Sequence, residues 1–243
     1  MKFSMLPVLF LVQLVAIYWA TKTTQRSGRI SAAQSRLVTA VLAMLVLWGF
    51  VTSGFSLSGW YHTDGFLKSL PGFWISMPPI LIVMLPWMLS SSFRQATNSI
   101  IDCVPLHYVM AFEGLRITAI GGIIKGNRGD FSAFFGNWVG IPDFLFGTLS
   151  LAAAYLIFKG IWSKRSAIGI NLFGFLVIVP YGLVLMHLGL PGIMHMIDET
   201  PDLTTIFNFP MVLALTLVVP IFIVINLLVA MRLLTHQESS GPS

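Results

Sequence analysis

The 243-residue chain is 56% hydrophobic and only 9% charged, whereas a soluble domain carries about 25% charged residues. This deficit of charge excludes an ordinary soluble domain and places the chain in a lipid bilayer. The net charge of +5 comes from basic residues in particular loops, so it does not indicate a nucleic-acid partner. The single cysteine, Cys103, excludes an internal disulfide and any multi-cysteine metal site.

Seven apolar segments of about 20 residues follow one another along the chain, each suited to cross a bilayer as a helix. The third should be broken or kinked, because Pro78, Pro79 and Pro86 interrupt it. The pattern predicts an all-α, polytopic transmembrane bundle of about seven helices. It forms one domain over residues 1–233, with a disordered cytoplasmic tail over 234–243. The segments run roughly over 4–20, 37–57, 71–90, 106–125, 144–162, 167–189 and 207–232.

The connections between these segments differ in charge, and the difference predicts the orientation. Basic residues concentrate in alternate connections and acidic residues in the others, so the positive-inside rule places the N-terminus outside and the C-terminus inside. This pattern suits a bacterial inner membrane. The basic set is Lys22, Arg26, Arg29, Arg36, Arg94, Lys159, Lys164, Arg165 and Arg232. The acidic set is Asp64, Asp130, Asp143, Asp198, Glu199 and Asp202.

Glu113 and Arg116 lie inside the fourth apolar segment, three residues apart and therefore on one helical face. A charged residue at bilayer depth costs roughly 2.5–3.5 kcal/mol on insertion scales, and such residues usually mark a functional site. The pair is predicted to form a proton or substrate site. The alternative is a structural ion pair that locks the fourth helix to its neighbours.

Two further polar positions belong to the predicted site. Asp143 follows the glycine-rich loop 126–144 and begins the fifth segment, where a carboxylate also suits the end of a helix. Asn171 lies inside the sixth segment. Asparagines in membrane helices usually form hydrogen bonds with a neighbouring helix, and they can also line a pathway.

A second candidate site is metal-binding and lies in the connections predicted to be external. His62, Asp64, His187 and His195 would supply nitrogen and oxygen ligands, with Asp198 close to His195 in sequence. Such a site would make the protein an intramembrane metal-dependent enzyme. No HxxxH or HExxH spacing occurs, and ordinary interfacial histidines explain the same residues.

The stretch from Arg116 onward resembles a family of uncharacterised bacterial polytopic membrane proteins. The family pattern has an arginine in a helix and then a loop similar to F-A-x-x-A-G-x-G-D, followed by W-N-x-x-G-x-x-D. This chain offers Arg116 and then FGNWVGIPD at 135–143, with Asn171 and Gly174 later. It departs at Gly136, Val139, Pro142, Ile170 and Val177. The resemblance implies the architecture, points to Arg116, Asp143 and Asn171, and implies no assigned activity.

Three functional classes remain open from the sequence. The first is binding or transport of a small molecule, proton or ion at the Glu113–Arg116 pair. The second is the metal-dependent enzyme, and the third is a structural or assembly subunit with other membrane proteins as partners. The sequence indicates no particular cofactor and leaves open whether the protein is an enzyme. In every class the lipid bilayer surrounds the protein.

Overall fold

The computed structural model describes residues 4–238, including every side chain except those of Val177 and residues 236–238. Within this part the regular elements are all helical and no strand occurs. Six helices are long and apolar enough to cross a membrane. The all-α, multi-pass prediction is therefore confirmed, whereas the count of seven and the orientation remain predictions. The six are Leu6–Arg26, Ala32–Leu57, Pro71–Leu89, Ala133–Phe158, Lys164–Gly189 and Ala214–Thr235.

The helices are numbered here in chain order. The α-helices of six residues or more are α1 (Leu6–Arg26), α2 (Ala32–Leu57), α3 (Met77–Leu89), α4 (Ser91–Cys103), α5 (Leu106–Glu113), α6 (Ile120–Asn127), α7 (Ala133–Trp138), α8 (Gly140–Phe158), α9 (Lys164–Phe173), α10 (Val179–Gly189) and α11 (Val219–Glu238). Single α-turns lie at Asp64–Leu67 and Pro71–Trp74. Turns of 3₁₀ helix occupy Trp60–His62, Gly114–Ala119 and Leu203–Phe207, and π-helical turns occupy Gly174–Ile178 and Ala214–Val218.

Several predicted boundaries differ from the structure. The fourth apolar segment, predicted as one helix over 106–125, is divided into α5, a 3₁₀ stretch and α6. The third consists of the turn Pro71–Trp74 and α3, as the prolines led us to expect. The last helix, α11, continues to Glu238 and so includes residues that were predicted to belong to the tail. The rest of the predicted tail, 239–243, lies outside the described residues.

The span that contains α11 forms the centre of the bundle. In its most apolar window 72% of the residues are buried, against 17–33% for the other five candidate spans. The outer helices expose large apolar side chains such as Leu47, Phe50 and Leu89. In water such a surface would be an aggregation hazard, but in a bilayer it faces lipid. The arrangement is that of an integral membrane protein.

The last two candidate spans, Lys164–Gly189 and Ala214–Thr235, each contain a π-helical turn directly before a Val-Pro pair. The turn Gly174–Ile178 precedes Pro180, and Ala214–Val218 precedes Pro220. A proline ring clashes with the carbonyl four residues earlier and supplies no N–H for it. A π turn widens the backbone at that point, so each helix continues past its proline.

Side chains from three other parts of the bundle donate to carbonyls of the second π turn. Trp48 Nε1 donates to the carbonyl of Thr216 at 3.1 Å, which is the group that Pro220 leaves without its α-helical donor. The hydroxyl of Ser76 donates to the carbonyl of Leu215 at 2.8 Å, and Gln13 Nε2 donates to that of Val218 at 3.1 Å. These bonds satisfy backbone groups that lipid could not, and they tie the outer helices to the centre.

We expect Trp48→Phe to lower the free energy of unfolding by about 1–3 kcal/mol, because it removes the indole N–H that donates to the carbonyl of the buried Thr216. Unfolding in detergent micelles, followed by circular dichroism, measures the change. The double variant Trp48→Phe with Pro220→Ala should recover part of the lost free energy of unfolding, because alanine at position 220 restores a backbone N–H. Trp138→Phe, at an exposed position, serves as the control. Equal losses at the two tryptophans would contradict the role of Trp48.

Candidate functional site

The backbone around Arg116 is pressed closely against α8. A Cβ atom added at Gly147 would lie 2.4 Å from the backbone nitrogen of Ile117 and 2.8 Å from the carbonyl carbon of Arg116. A Cβ atom at Gly114 would lie 2.3 Å from a methyl carbon of Leu151. Gly147 on α8 and Gly114 in the 3₁₀ stretch therefore permit this contact, because any larger residue at either position would clash. The close approach brings Arg116 next to the first turns of α8.

Arg116 forms a buried ionic cluster with two carboxylates. Its Nε donates to Asp143 Oδ1 at 2.7 Å, and its Nη1 lies 3.8 Å from Glu113 Oε2, an ion-pair distance that is too long for a hydrogen bond. Glu113 is 0% exposed and Arg116 is 3% exposed, whereas the side chain of Asp143 is 21% exposed. The structure thus brings together three of the four predicted site residues, and Asp143 is the one that reaches the surface.

Aromatic rings surround the guanidinium group of Arg116. Its central carbon lies 4.6 Å from the ring centroid of Phe146 and 5.5 Å from that of Phe222. A ring face attracts a cation most strongly where water is excluded. The two rings therefore hold the positive charge at a depth where it would otherwise be costly.

Asn226, on the central helix, extends the cluster. Its Nδ2 donates to Glu113 Oε2 at 3.1 Å, and this contact links two positions that are 113 residues apart in sequence. Gly174 makes room for it, because a Cβ atom there would lie 3.1 Å from Asn226 Nδ2. The sequence marks Asn226 only as a polar residue in an apolar helix, so its contact with Glu113 was not predicted. Phe146 and Phe222 were not predicted either, since aromatic residues are frequent throughout the chain.

Three polar atoms of this cluster are buried and have no hydrogen-bond partner within residues 4–238. They are Glu113 Oε1, Arg116 Nη1 and Asn226 Oδ1. Buried polar groups in folded proteins are nearly always satisfied, and each exception requires an explanation. The cluster thus presents one donor and two acceptors that the described chain does not use.

Asn171 lies beside the cluster and contacts other partners. Its Nδ2 donates to the carbonyl of Ala167 at 2.8 Å and to Met110 Sδ at 3.5 Å. Met110 precedes Glu113 by one helical turn, so Asn171 connects α9 to the same helix. Its Oδ1 is a further buried oxygen without a partner among the described residues. The part of Asn171 in a shared site remains a prediction.

The four predicted metal ligands are engaged in separate contacts. His62 Nε2 bonds Asn208 Oδ1 at 2.8 Å, and Asp64 pairs with Lys68 at 3.0 Å. His187 Nδ1 bonds the carbonyl of Leu183 at 2.8 Å, and its ring stacks on Phe73. His195 Nε2 bonds Asp198 Oδ1 at 2.9 Å.

No group of three or more His, Cys, Asp or Glu side chains arranged for a metal ion occurs in the described part of the chain. The structure therefore does not bring the predicted external ligands together. Glu199 instead accepts hydrogen bonds from the Ser132 hydroxyl and, at 3.0 Å, from the backbone N–H of Phe134. This contact holds the loop before α7 against the connection that follows α10. Polar residues of this region thus join loops to one another.

The fold and the buried cluster together define a multi-pass integral membrane protein with an ionic network among its helices. Comparison with protein-family models gives no match. Searches of curated proteins and of solved structures likewise give no match. The family resemblance noted from the sequence therefore remains a prediction, and function must be argued from the site itself.

Proposed function

We propose that the protein binds a proton or a small charged solute at the Glu113–Arg116–Asp143 cluster and moves it across the membrane. The observation that carries this proposal is the set of three unused polar atoms, Glu113 Oε1, Arg116 Nη1 and Asn226 Oδ1. An unsatisfied buried group costs about 1–3 kcal/mol. A ligand that supplies the missing partners removes that cost.

The arrangement suits a ligand that both donates and accepts hydrogen bonds. Glu113 and Asn226 offer oxygens that accept, and Arg116 offers an N–H group that donates. A proton on Glu113 would satisfy part of this pattern, and a small zwitterion would satisfy more of it. A buried ion pair is stabilised best when its remaining polar atoms also find hydrogen-bond partners, and these three find none among the described residues.

Asp143 indicates the side from which a ligand reaches the cluster. Its carboxylate bonds Arg116 and is partly exposed, whereas Glu113 is fully buried on the other side of the guanidinium group. A charged solute would therefore meet Asp143 first, then Arg116 and then Glu113. The two π turns support the same proposal, because such turns are frequent at functional sites and one of them begins at Gly174, next to Asn226.

Proton flux and ligand binding test the proposal in the same preparation. Proteoliposomes loaded with a pH-sensitive dye report proton entry under an imposed gradient, and thermal unfolding in detergent reports binding of glycine, acetate or sodium. We expect the wild-type protein to give at least one response. Glu113→Gln should abolish it, because it replaces an ionisable acceptor by a neutral amide.

Asp102→Asn is the control, because Asp102 pairs with Arg232, which does not belong to the cluster. It removes a carboxylate without touching the cluster and should leave the response unchanged. Circular dichroism of both variants separates loss of function from loss of fold. A folded wild-type protein that neither conducts protons nor responds to any of the three solutes would contradict the proposal.

A further inference from the structure

An apolar groove of about 410 Å³ lies in the bundle, and none of the four polar residues of the ionic cluster lines it. It is lined by residues of α1, α2, α3, α4, α5 and α11 and of the 3₁₀ stretch. Among these side chains only Trp19, Thr97 and Tyr108 carry a polar atom. An apolar cavity of about 150 Å³ holds a benzene-sized molecule, so this groove has room for a much longer hydrocarbon.

The groove runs along the helices that line it. Its lining on α11 extends from Val229 to Ile221, and its lining on α2 extends from Val38 to Leu45. Eight residues of helix span about 12 Å. The groove is therefore an elongated slot that follows the helix axes, and this shape fits a chain better than a compact ligand.

Trp19 and Tyr108 line the slot and are 58% and 54% exposed, so the slot reaches the outside of the bundle at these two residues. The helices α1, α2 and α11 belong to candidate membrane spans, so lipid would surround this side of the bundle. Tryptophan and tyrosine are enriched where hydrocarbon meets headgroups. The opening thus has the composition of a lipid entrance.

We propose that the slot holds one acyl chain of an anionic phospholipid from the surrounding bilayer. Side chains around an empty slot would lack the dispersion contacts that close-packed interiors make. A chain from the bilayer restores those contacts, and water does not, because the lining offers it almost no polar partners.

Lys22 supplies the charge that selects an anionic headgroup. It follows Trp19 by three residues on α1, and its Nζ donates to Ser35 Oγ at 3.1 Å, three residues before Val38. This hydrogen bond and the spacing from Trp19 place the ammonium group near the end of the slot that Trp19 and Val38 line. It also donates to Gln25 Oε1 at 3.2 Å and lies 5.4 Å from the centroid of the Tyr18 ring, and its third N–H group can donate to a phosphate oxygen.

Retention of phospholipid through purification tests this proposal. The protein is extracted from a bilayer of mixed anionic and zwitterionic phospholipids and washed in mild detergent, and the bound lipids are counted by mass spectrometry. We expect about one anionic phospholipid per chain. Ala111→Phe, which fills the slot, should reduce retention by about tenfold. Ala16→Phe fills it from α1 and should do the same. Ala40→Phe places the same side chain at an exposed position on α2 and should retain the lipid.

Lys22→Gln tests the headgroup separately. It should remove the preference for anionic over zwitterionic phospholipid, whereas Lys164→Gln, at the start of α9, should keep it. Retention of a free fatty acid, an isoprenoid or detergent in place of phospholipid would overturn the proposal. Equal retention by the wild-type protein and both slot-filling variants would also overturn it. None of these results depends on the ionic cluster, so the two proposals fail independently.

Discussion

Replacing Arg116 by methionine is expected to lower the free energy of unfolding by about 3–5 kcal/mol. The change removes the only cation that the structure places between Glu113 and Asp143 within residues 4–238. Methionine keeps an apolar stem of similar length between Phe146 and Phe222. The drop in the free energy of unfolding therefore comes mainly from the lost charge and not from lost packing. Unfolding in detergent micelles, followed by circular dichroism, measures the effect.

Two further variants identify the cause of that loss. Arg232→Met breaks the pair with Asp102, in which both side chains are partly exposed. It should cost clearly less than Arg116→Met, because a carboxylate freed there is not fully buried. Combining Arg116→Met with Glu113→Gln removes the stranded charge as well, so the double variant should be more stable than Arg116→Met alone. Equal losses at Arg116 and Arg232, or no recovery in the double variant, would contradict a buried ionic cluster.

The helical, membrane-embedded class of the protein followed from composition, because a chain this poor in charge cannot cover a soluble surface. The proximity of Glu113 and Arg116 also followed from sequence, since residues three apart share a helical face. Their contacts with Asp143 and Asn226 join parts of the chain that lie 27 and 113 residues apart. A single sequence does not show which distant residues pack against one another, so these contacts could not be predicted.

Two local features of the structure could not be predicted from the sequence. Pro180 and Pro220 are visible in the sequence, but it does not show that both helices continue past them through π turns, or that side chains from elsewhere donate to the second of these turns. The 3₁₀ stretch Gly114–Ala119 lies in a segment with an ordinary helical pattern, and its packing against Gly147 becomes visible only in three dimensions. The predicted metal ligands do not converge. His62 bonds Asn208, which is 146 residues away in sequence, and the other two histidines bond groups within five residues of themselves.

Substituting Gly147 by alanine is expected to destabilise the protein by about 3 kcal/mol, at the upper end of what overpacking usually costs. The added Cβ atom would lie 2.4 Å from the backbone nitrogen of Ile117. Backbone atoms cannot rotate away as a side chain can, so α8 and the 3₁₀ stretch must separate. That movement would also lengthen the bond between Arg116 and Asp143, and proton flux or solute binding should fall together with stability.

Gly121→Ala is the matched control, because a Cβ atom there meets nothing within 4 Å. Alanine favours helix over glycine by about 1 kcal/mol, so this variant should be neutral or slightly more stable. Thermal unfolding of both variants in the same detergent gives the comparison. If Gly147→Ala were as stable as Gly121→Ala, the backbones of α8 and the 3₁₀ stretch could not lie as close as the structure places them. The positions of Arg116 and Asp143 would then have to be reconsidered, since this contact is what brings the guanidinium group to its second carboxylate.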